Sequence, residues 1–266
     1  VITGAGSGIG QALAIELARS GASLAISDID TEGLAKTEEQ VKAIGAEVKA
    51  DRLNVAEREA FELYADDVVK HFGKVNQIYN NAGIAFTGDI EVSQFKEIER
   101  IMDVDYWGVV HGTKEFLPHL IASGDGHLVN VSSIFGLVGT PNASDYCAAK
   151  FAVRGFTESL MVELQESPIS VHLLHPGGIN TNIAKDSPNG EAFTRQFLKT
   201  DPADVVREVI RCIGSGKQRI VIGHQSRPVW LASWAMSLER RNRLLYRMLG
   251  SMLDPRQYEL VRRRPS

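Results

Sequence analysis

Tyr146 and Lys150 stand four residues apart, a spacing that puts both side chains on one face of a helix, one turn apart. A free tyrosine is a poor acid or base near neutral pH, because its reference pKa is about 10. An ammonium held beside its oxygen favours the phenolate and lowers that value. The pair can then give a proton to, or take one from, a carbonyl or alcohol oxygen. Ser133 precedes Tyr146 by thirteen residues, in the turn after the strand-like run 127–132, and from there its hydroxyl can reach the same oxygen. A Tyr and a Lys four apart also occur by chance on many helices, so the pair gains meaning from the elements that must position it.

The start of the chain carries a second chemical signal. Strand-like Val1-Ile2 runs directly into Thr3-Gly4-Ala5-Gly6-Ser7-Gly8-Ile9-Gly10, and a helical pattern follows to Arg19 with Ile9, Leu13 and Leu17 on one face. Strand, glycine turn and helix in that order are the context of a dinucleotide-binding loop. Glycines let the backbone approach a pyrophosphate, and the helix N-terminus offers it free N–H groups and a positive dipole. The spacing Gly4, Gly8, Gly10 departs from strict G-x-G-x-x-G, so the reading rests on the flanking elements. Asp28 ends the next strand-like run, eighteen residues after Gly10. A carboxylate there can accept hydrogen bonds from the adenosine ribose and would repel a 2′-phosphate. Neither Ser7 nor Ile29 is a Lys or Arg that would welcome one. NAD is therefore expected over NADP.

Strand patterns at 24–28, 47–53, 75–79, 127–132, 169–174 and 219–222 alternate with helix patterns at 32–44, 57–72, 94–121, 144–166 and 204–213. Such alternation predicts an α/β fold, a doubly wound parallel sheet with helices on both faces. No internal repeat, low-complexity tract or linker interrupts it, so a single domain is expected over 1–266, with the cofactor half mainly in 1–150. The segment 183–200 leaves the C-terminal end of a strand, where ligands bind in such folds. Pro188, Asn189 and Gly190 precede Phe193, Phe197 and Leu198 at helical spacing, which predicts a mobile lid with its apolar face over substrate.

TGAGSGIG at 3–10, Asp28, NNAG at 80–83, Ser133, Tyr146-x-x-x-Lys150 and Pro176-Gly177-x-Ile179-x-Thr181 resemble, in order and spacing, the short-chain dehydrogenase/reductase family. The resemblance covers Val1 to about Gly223. It implies a single-domain Rossmann fold with seven parallel strands that binds NAD(P). It implies Tyr146 as acid/base, Lys150 as the residue that lowers its pKa and holds the nicotinamide ribose, and Ser133 as the binder of the reacting oxygen. Gly4, Ser7, Gly8, Ile9, Gly10, Asp28, Asn54, Val55, Asn81, Ala82, Gly83, Pro176, Gly177, Ile179 and Thr181 would complete the cofactor site, with Ile179 and Thr181 near the carboxamide and pyrophosphate. Family members usually pair through the helices at about 94–121 and 144–166, so a homodimer or homotetramer is expected.

Two residues depart from the family pattern. Asn54 stands where an Asp is usual, at a position that contacts adenine, and an amide can still hydrogen-bond it. Asp105 stands where the family has its fourth catalytic residue, an Asn on the long helix at 94–121. Two orientations are open for Asp105. Its carboxylate can face Lys150 and offset the ammonium, or turn into the helix and bond backbone groups where the helix bends.

Composition bounds the remaining possibilities. The chain has 266 residues, 44% hydrophobic and 23% charged, with a formal net charge of −4, so no general attraction to nucleic acid is expected. Cys147 and Cys212 are the only cysteines and form no CxxC, which argues against a disulfide framework or zinc site and fits a cytoplasmic, reducing setting. No apolar run approaches the ~20 residues that span a bilayer. His172 and His175 point to opposite faces of one strand and cannot share a metal. No G-x-S-x-G elbow is present. In the helical extension 224–266, Trp230, Leu231, Trp234 and Leu238 are expected to form an apolar helix face. Residues 239–266 hold eight arginines against three acids. Apolar plus basic character suits a membrane surface, but packing on the protein itself or on a sister subunit is favoured, because only two short helices are involved. Phe135, Phe193 and Phe197 point to an apolar small-molecule substrate. The expected activity is NAD-dependent interconversion of a secondary alcohol and a ketone. The alternative is a cofactor-binding regulatory or scaffold protein with little turnover, which only Asp105 favours.

Overall fold

Near-continuous apolar runs such as Leu128-Val129 and Val171-His172-Leu173-Leu174 suit strands covered on both faces. The computed structural model describes residues 1–85, 88, 90, 93–184 and 190–250. In it, β1 (Ile2–Thr3), β2 (Leu24–Asp28), β3 (Val48–Arg52), β4 (Gln77–Asn80), β5 (Gly126–Val131), β6 (Ile169–Pro176) and β7 (Arg219–Ile222) form one sheet. The order is β3-β2-β1-β4-β5-β6-β7, and neighbours are parallel throughout.

Parallel neighbours need long crossovers, and the helices supply them. On one face, α1 (Gly8–Arg19), α2 (Thr31–Ile44) and α8 (Pro202–Gly214) bury Leu13, Leu34, Val41, Val205 and Val209 against Ile2, Ile26 and Leu174. On the other, α3 (Arg58–Phe72), α5 (Gly108–Ser123) and α6 (Ser144–Glu163) set Phe61, Val68, Phe116, Leu120 and Leu160 on Ile78, Leu128 and Val171. This is the doubly wound sheet that the alternation predicts, with the seven strands and Rossmann-type order that the family resemblance implies. β3 lies at the sheet edge and is only half-buried, which accounts for its weak apolar pattern. Local signals set the helix ends. The Asp30 carboxylate caps α2 by accepting from the Glu32 and Gly33 amides, and left-handed Gly45 (φ 91°) ends it. Because Asp30 does the capping, Asp28 is left for other work.

The structure departs from the sequence reading in two elements. The helix expected over 94–121 is divided: α4 (Phe95–Met102) passes into a π-helical turn, Asp103–Trp107, before α5. The extension is α9 (Ser226–Ala235) and α10 (Leu238–Leu249), with Met236 extended between them at φ −111°, ψ 140°. Trp230, Leu231 and Trp234 therefore do not share a helix face with Leu238. Arg219 of β7 lies over the Trp234 ring, 5.9 Å from its centre, and ties α9 to the sheet. A short 3₁₀ turn (Asn182–Ala184) leads into the segment 183–200, which carries α7 (Gly190–Phe197). Pro188, Asn189, the Phe193 side chain and Arg256, Arg262, Arg263 and Arg264 lie outside the described residues. Among the described residues no helix is long and apolar enough to cross a membrane.

Candidate active site

In this strand order the chain reverses direction between β1 and β4, and a crevice opens there at the C-terminal ends of the strands. The glycine turn lines it. Gly4 (φ +69°) and Gly8 (φ +58°) adopt left-handed backbone, which glycine alone takes without strain. A Cβ on Gly4 would also lie 2.7 Å from Ala82 Cα. The turn is held from below: Thr3 Oγ1 accepts from the Asn81 and Ala82 amides, and Asn81 Nδ2 donates to the Thr3 and Gly4 carbonyls. Asp28 accepts from the Gly6 amide at 2.7 Å and the Asp30 amide at 2.9 Å.

The resulting cleft encloses about 670 Å³ and is lined by Gly4, Ser7, Gly8, Ile9, Asp28, Asn54, Val55, Asn81, Ala82, Gly83, Lys150 and Thr181. A cleft of bare backbone at a helix N-terminus, with a carboxylate at the end of β2, fits a dinucleotide. Not every expected residue faces it. Gly10 stands behind the turn, where a Cβ would collide with the Gly4 carbonyl, so it packs α1 against the loop. Pro176, Gly177 and Ile179 line a neighbouring cavity of about 180 Å³, together with Ser133 and Tyr146. Asn54 already uses its side chain locally, accepting from the Ala56 amide and donating to Glu57, which leaves one amide hydrogen for a ligand. Lys96 and Arg100 of α4 also line the cleft, which nothing at Ser7 or Ile29 foretold.

Ser133, Tyr146, Lys150 and Asp105 meet where cleft and cavity join. Ser133 Oγ accepts from the Phe135 amide at 3.1 Å, so its own hydrogen is free to point elsewhere, and Ser133 works to lower the Tyr146 pKa. Tyr146 is 7% exposed and Lys150 3%. The Lys150 Nζ lies 5.6 Å from the Tyr146 ring centre, 3.2 Å from the Val131 carbonyl and 3.0 Å from Asp105 Oδ2. Asp105 is fully buried and its Oδ1 accepts from the Ile84 amide at 2.8 Å. Of the two orientations open in the sequence, the carboxylate takes the one facing Lys150. The π-helical turn carries Asp105, and such turns often occur at functional sites. Gly83 keeps this pair uncovered: a Cβ there would come within 3.3 Å of Lys150 Nζ.

The electrostatics correct one expectation. Burial pushes the Tyr146 pKa up; the Lys150 ammonium offsets part of that rise and the Asp105 carboxylate adds to it. The net direction is upward, so the neutral phenol is the resting form. Burial works to lower the Lys150 pKa, but Asp105 and Tyr146 outweigh it and keep the ammonium charged. Burial also raises Asp105, against the pull of Lys150.

Several supporting residues escaped the sequence reading. The Ser133 carbonyl accepts from His175 Nδ1 at 2.8 Å, and burial holds His175 neutral by lowering its pKa to about 4. Ser132 Oγ donates to the Lys150 carbonyl at 2.8 Å and fastens α6 to the Ser133 turn. Asn80, Asn130 and Thr157 form a buried chain of hydrogen bonds linking β4, β5 and α6. The NNAG motif pointed to Asn80; the others carry no local signal, because their partners are distant in sequence.

Comparison with known proteins agrees with this arrangement. The sequence profile of the family described as short chain dehydrogenase matches residues 1–192. SadH of Mycobacterium tuberculosis is 52% identical over 240 residues, 86% of this chain and 87% of SadH. The cyclohexanol dehydrogenase of Acinetobacter sp. (strain SE19) is 36% identical over 229 residues, 85% of this chain and 90% of that protein. A short-chain dehydrogenase/reductase from Burkholderia phymatum, solved in complex with NAD, superposes with a TM-score of 0.80 at 29% identity, covering 96% of this chain and 95% of that one. The chain belongs to the short-chain dehydrogenase family of NAD(P)-binding oxidoreductases.

Proposed function

We propose that the protein interconverts a secondary alcohol and a ketone, uses NAD, and moves the proton through Tyr146. The carrying observation is the meeting of Ser133, Tyr146 and buried Lys150 where an apolar cavity joins the nucleotide cleft. A bound nicotinamide would supply or accept the hydride. Gly4, Ser7, Gly8 and the N-terminus of α1 would hold the pyrophosphate, Asp28 the adenosine ribose, and Lys150 the nicotinamide ribose. The ammonium has three hydrogens; the Val131 carbonyl takes one, Asp105 pairs with the charge at 3.0 Å, and a hydrogen remains for a ribose hydroxyl. In the reducing direction, Ser133 donates a hydrogen bond to the carbonyl oxygen while the Tyr146 phenol gives up its proton to it. In the oxidising direction, Tyr146 takes the proton back from the alcohol, which its raised pKa disfavours at neutral pH.

The cyclohexanol dehydrogenase relative makes cyclohexanol a reasonable first probe. Wild-type enzyme should oxidise it with a kcat/KM for NAD well above that for NADP, because Asp28 repels the 2′-phosphate. Preference for NADP would instead implicate Lys96 and Arg100. Tyr146→Phe should lower kcat by about 10²- to 10⁴-fold with NAD affinity retained. Full turnover in that variant overturns the proton assignment. Absence of turnover over a broad alcohol panel, with NAD still bound, supports a regulatory role, the one reading that the unusual Asp105 favours.

A further inference from the structure

We propose that α10 is the far wall of the substrate chamber, and that it selects a bulky, uncharged, lipophilic alcohol or ketone. The proposal rests on the oxidoreductase reading and adds the class of substrate. The 180 Å³ cavity begins at Ser133 and Tyr146 and is bounded on another side by Leu245, Met248 and Leu249 of α10. Leu245 and Leu249 are one turn apart and fall on the half-buried stripe of α10; no residue of that helix is fully buried. The inner stripe of α10 thus borders the cavity rather than a packed core. A ligand long enough to reach it would cover Leu245 and Leu249 and gain the burial that the protein alone does not supply. A short alcohol would reach Ser133 and Tyr146 and leave that surface open.

The lining also fixes polarity. Among the described residues no Asp, Glu, Lys or Arg lines the cavity. Its polar side chains include Ser133, Thr140, Tyr146 and Gln225, with a single imidazole among the described residues, that of His224. A carboxylate or ammonium brought against the α10 wall would lose its hydration to Leu245, Met248 and Leu249, which offer it no hydrogen bond. The chamber therefore suits one reacting oxygen on an otherwise apolar body. The arginines of α10 do not enter this lining, so they offer no anchor to a charged tail.

Equilibrium binding of three ketones to the NADH-loaded protein tests the wall directly. Undecan-2-one should bind at least tenfold more tightly than butan-2-one, and tenfold more tightly than 10-oxoundecanoate, which carries a carboxylate at its far end. Joint substitution Leu245→Ala and Leu249→Ala should reduce the undecan-2-one over butan-2-one preference about tenfold. Leu249→Trp, which fills the far end, should also reduce that preference, by excluding the longer chain. A merely structural role for α10 would change both affinities alike. An unchanged preference in both variants, or equal binding of ketone and keto acid by the wild type, overturns the proposal. Binding that follows these ratios without oxidation of undecan-2-ol would sustain the wall and count against the oxidoreductase reading instead.

Discussion

Asp105 is the residue whose role most depends on its surroundings. Its carboxylate, 3.0 Å from Lys150, stabilises the ammonium and raises the pKa of Tyr146. Alcohol oxidation needs the phenol deprotonated, so the anion shifts that reaction towards higher pH. Asp105→Asn removes the negative charge, lets Lys150 act on Tyr146 unopposed, and should move the rising limb of the oxidation profile to lower pH. A kcat profile over alkaline pH that overlays the wild type would show that the carboxylate does not reach Tyr146 electrostatically. Spacing and resemblance singled out Ser133, Tyr146 and Lys150 as neighbours, and the fold brings them together, because a helical face and a strand end are local facts. The direction of Asp105 was not legible, since it depends on a change of helical pitch. Nor was the grip of His175 on the Ser133 turn, which joins residues 42 positions apart.

At the scale of elements, the alternation of apolar runs gave the sheet and its helices, and the glycine turn gave the place of the cofactor cleft. What pattern could not supply was how closely each helix sits on the sheet. Gly112 shows this for α5. A Cβ there would collide with Asn80 Oδ1 and come within 2.9 Å of Phe61 Cζ. Asn80 also donates to Asn130 at 2.9 Å, so the methyl group must either break that buried bond or lift α5. Gly112→Ala should therefore cost about 1–3 kcal/mol, read as a lower urea midpoint with an unchanged m-value. It should lower kcat as well, although Gly112 touches neither cleft nor cavity, because α5 continues directly from the turn that carries Asp105. A destabilised variant with wild-type kcat would mean that the turn is held independently of α5. The apolar face expected over Trp230 to Leu238 failed for a different reason: the chain is extended at Met236, so the residues fall on two helices. Leu245 and Leu249 of the second helix border a cavity, which periodicity does not report.

On the whole molecule, large apolar side chains remain exposed on the side formed by α4, α6 and the π-helical turn: Phe95 at 83%, Trp107 at 47%, Phe151 at 40% and Val162 at 77%. Another exposed set, Leu231, Trp234 and Tyr246, lies on α9 and α10. The first set belongs to the elements through which family members usually pair. A 29.1 kDa chain should then scatter light as a dimer or larger at micromolar concentration. Trp107 and Phe151 add a functional consequence. Trp107 ends the turn that carries Asp105, and Phe151 follows Lys150 on α6. A partner pressed against them would restrain, from outside, the two elements whose inner faces hold the ion pair. Phe151→Arg should therefore yield monomers and lower both the melting temperature and kcat, while the site still prefers undecan-2-one over butan-2-one, because Phe151 does not line the cavity. A monomer with full kcat would separate assembly from catalysis. A variant that stays dimeric would move the interface to α9 and α10, where added anionic vesicles would reveal whether the basic helix meets lipid instead.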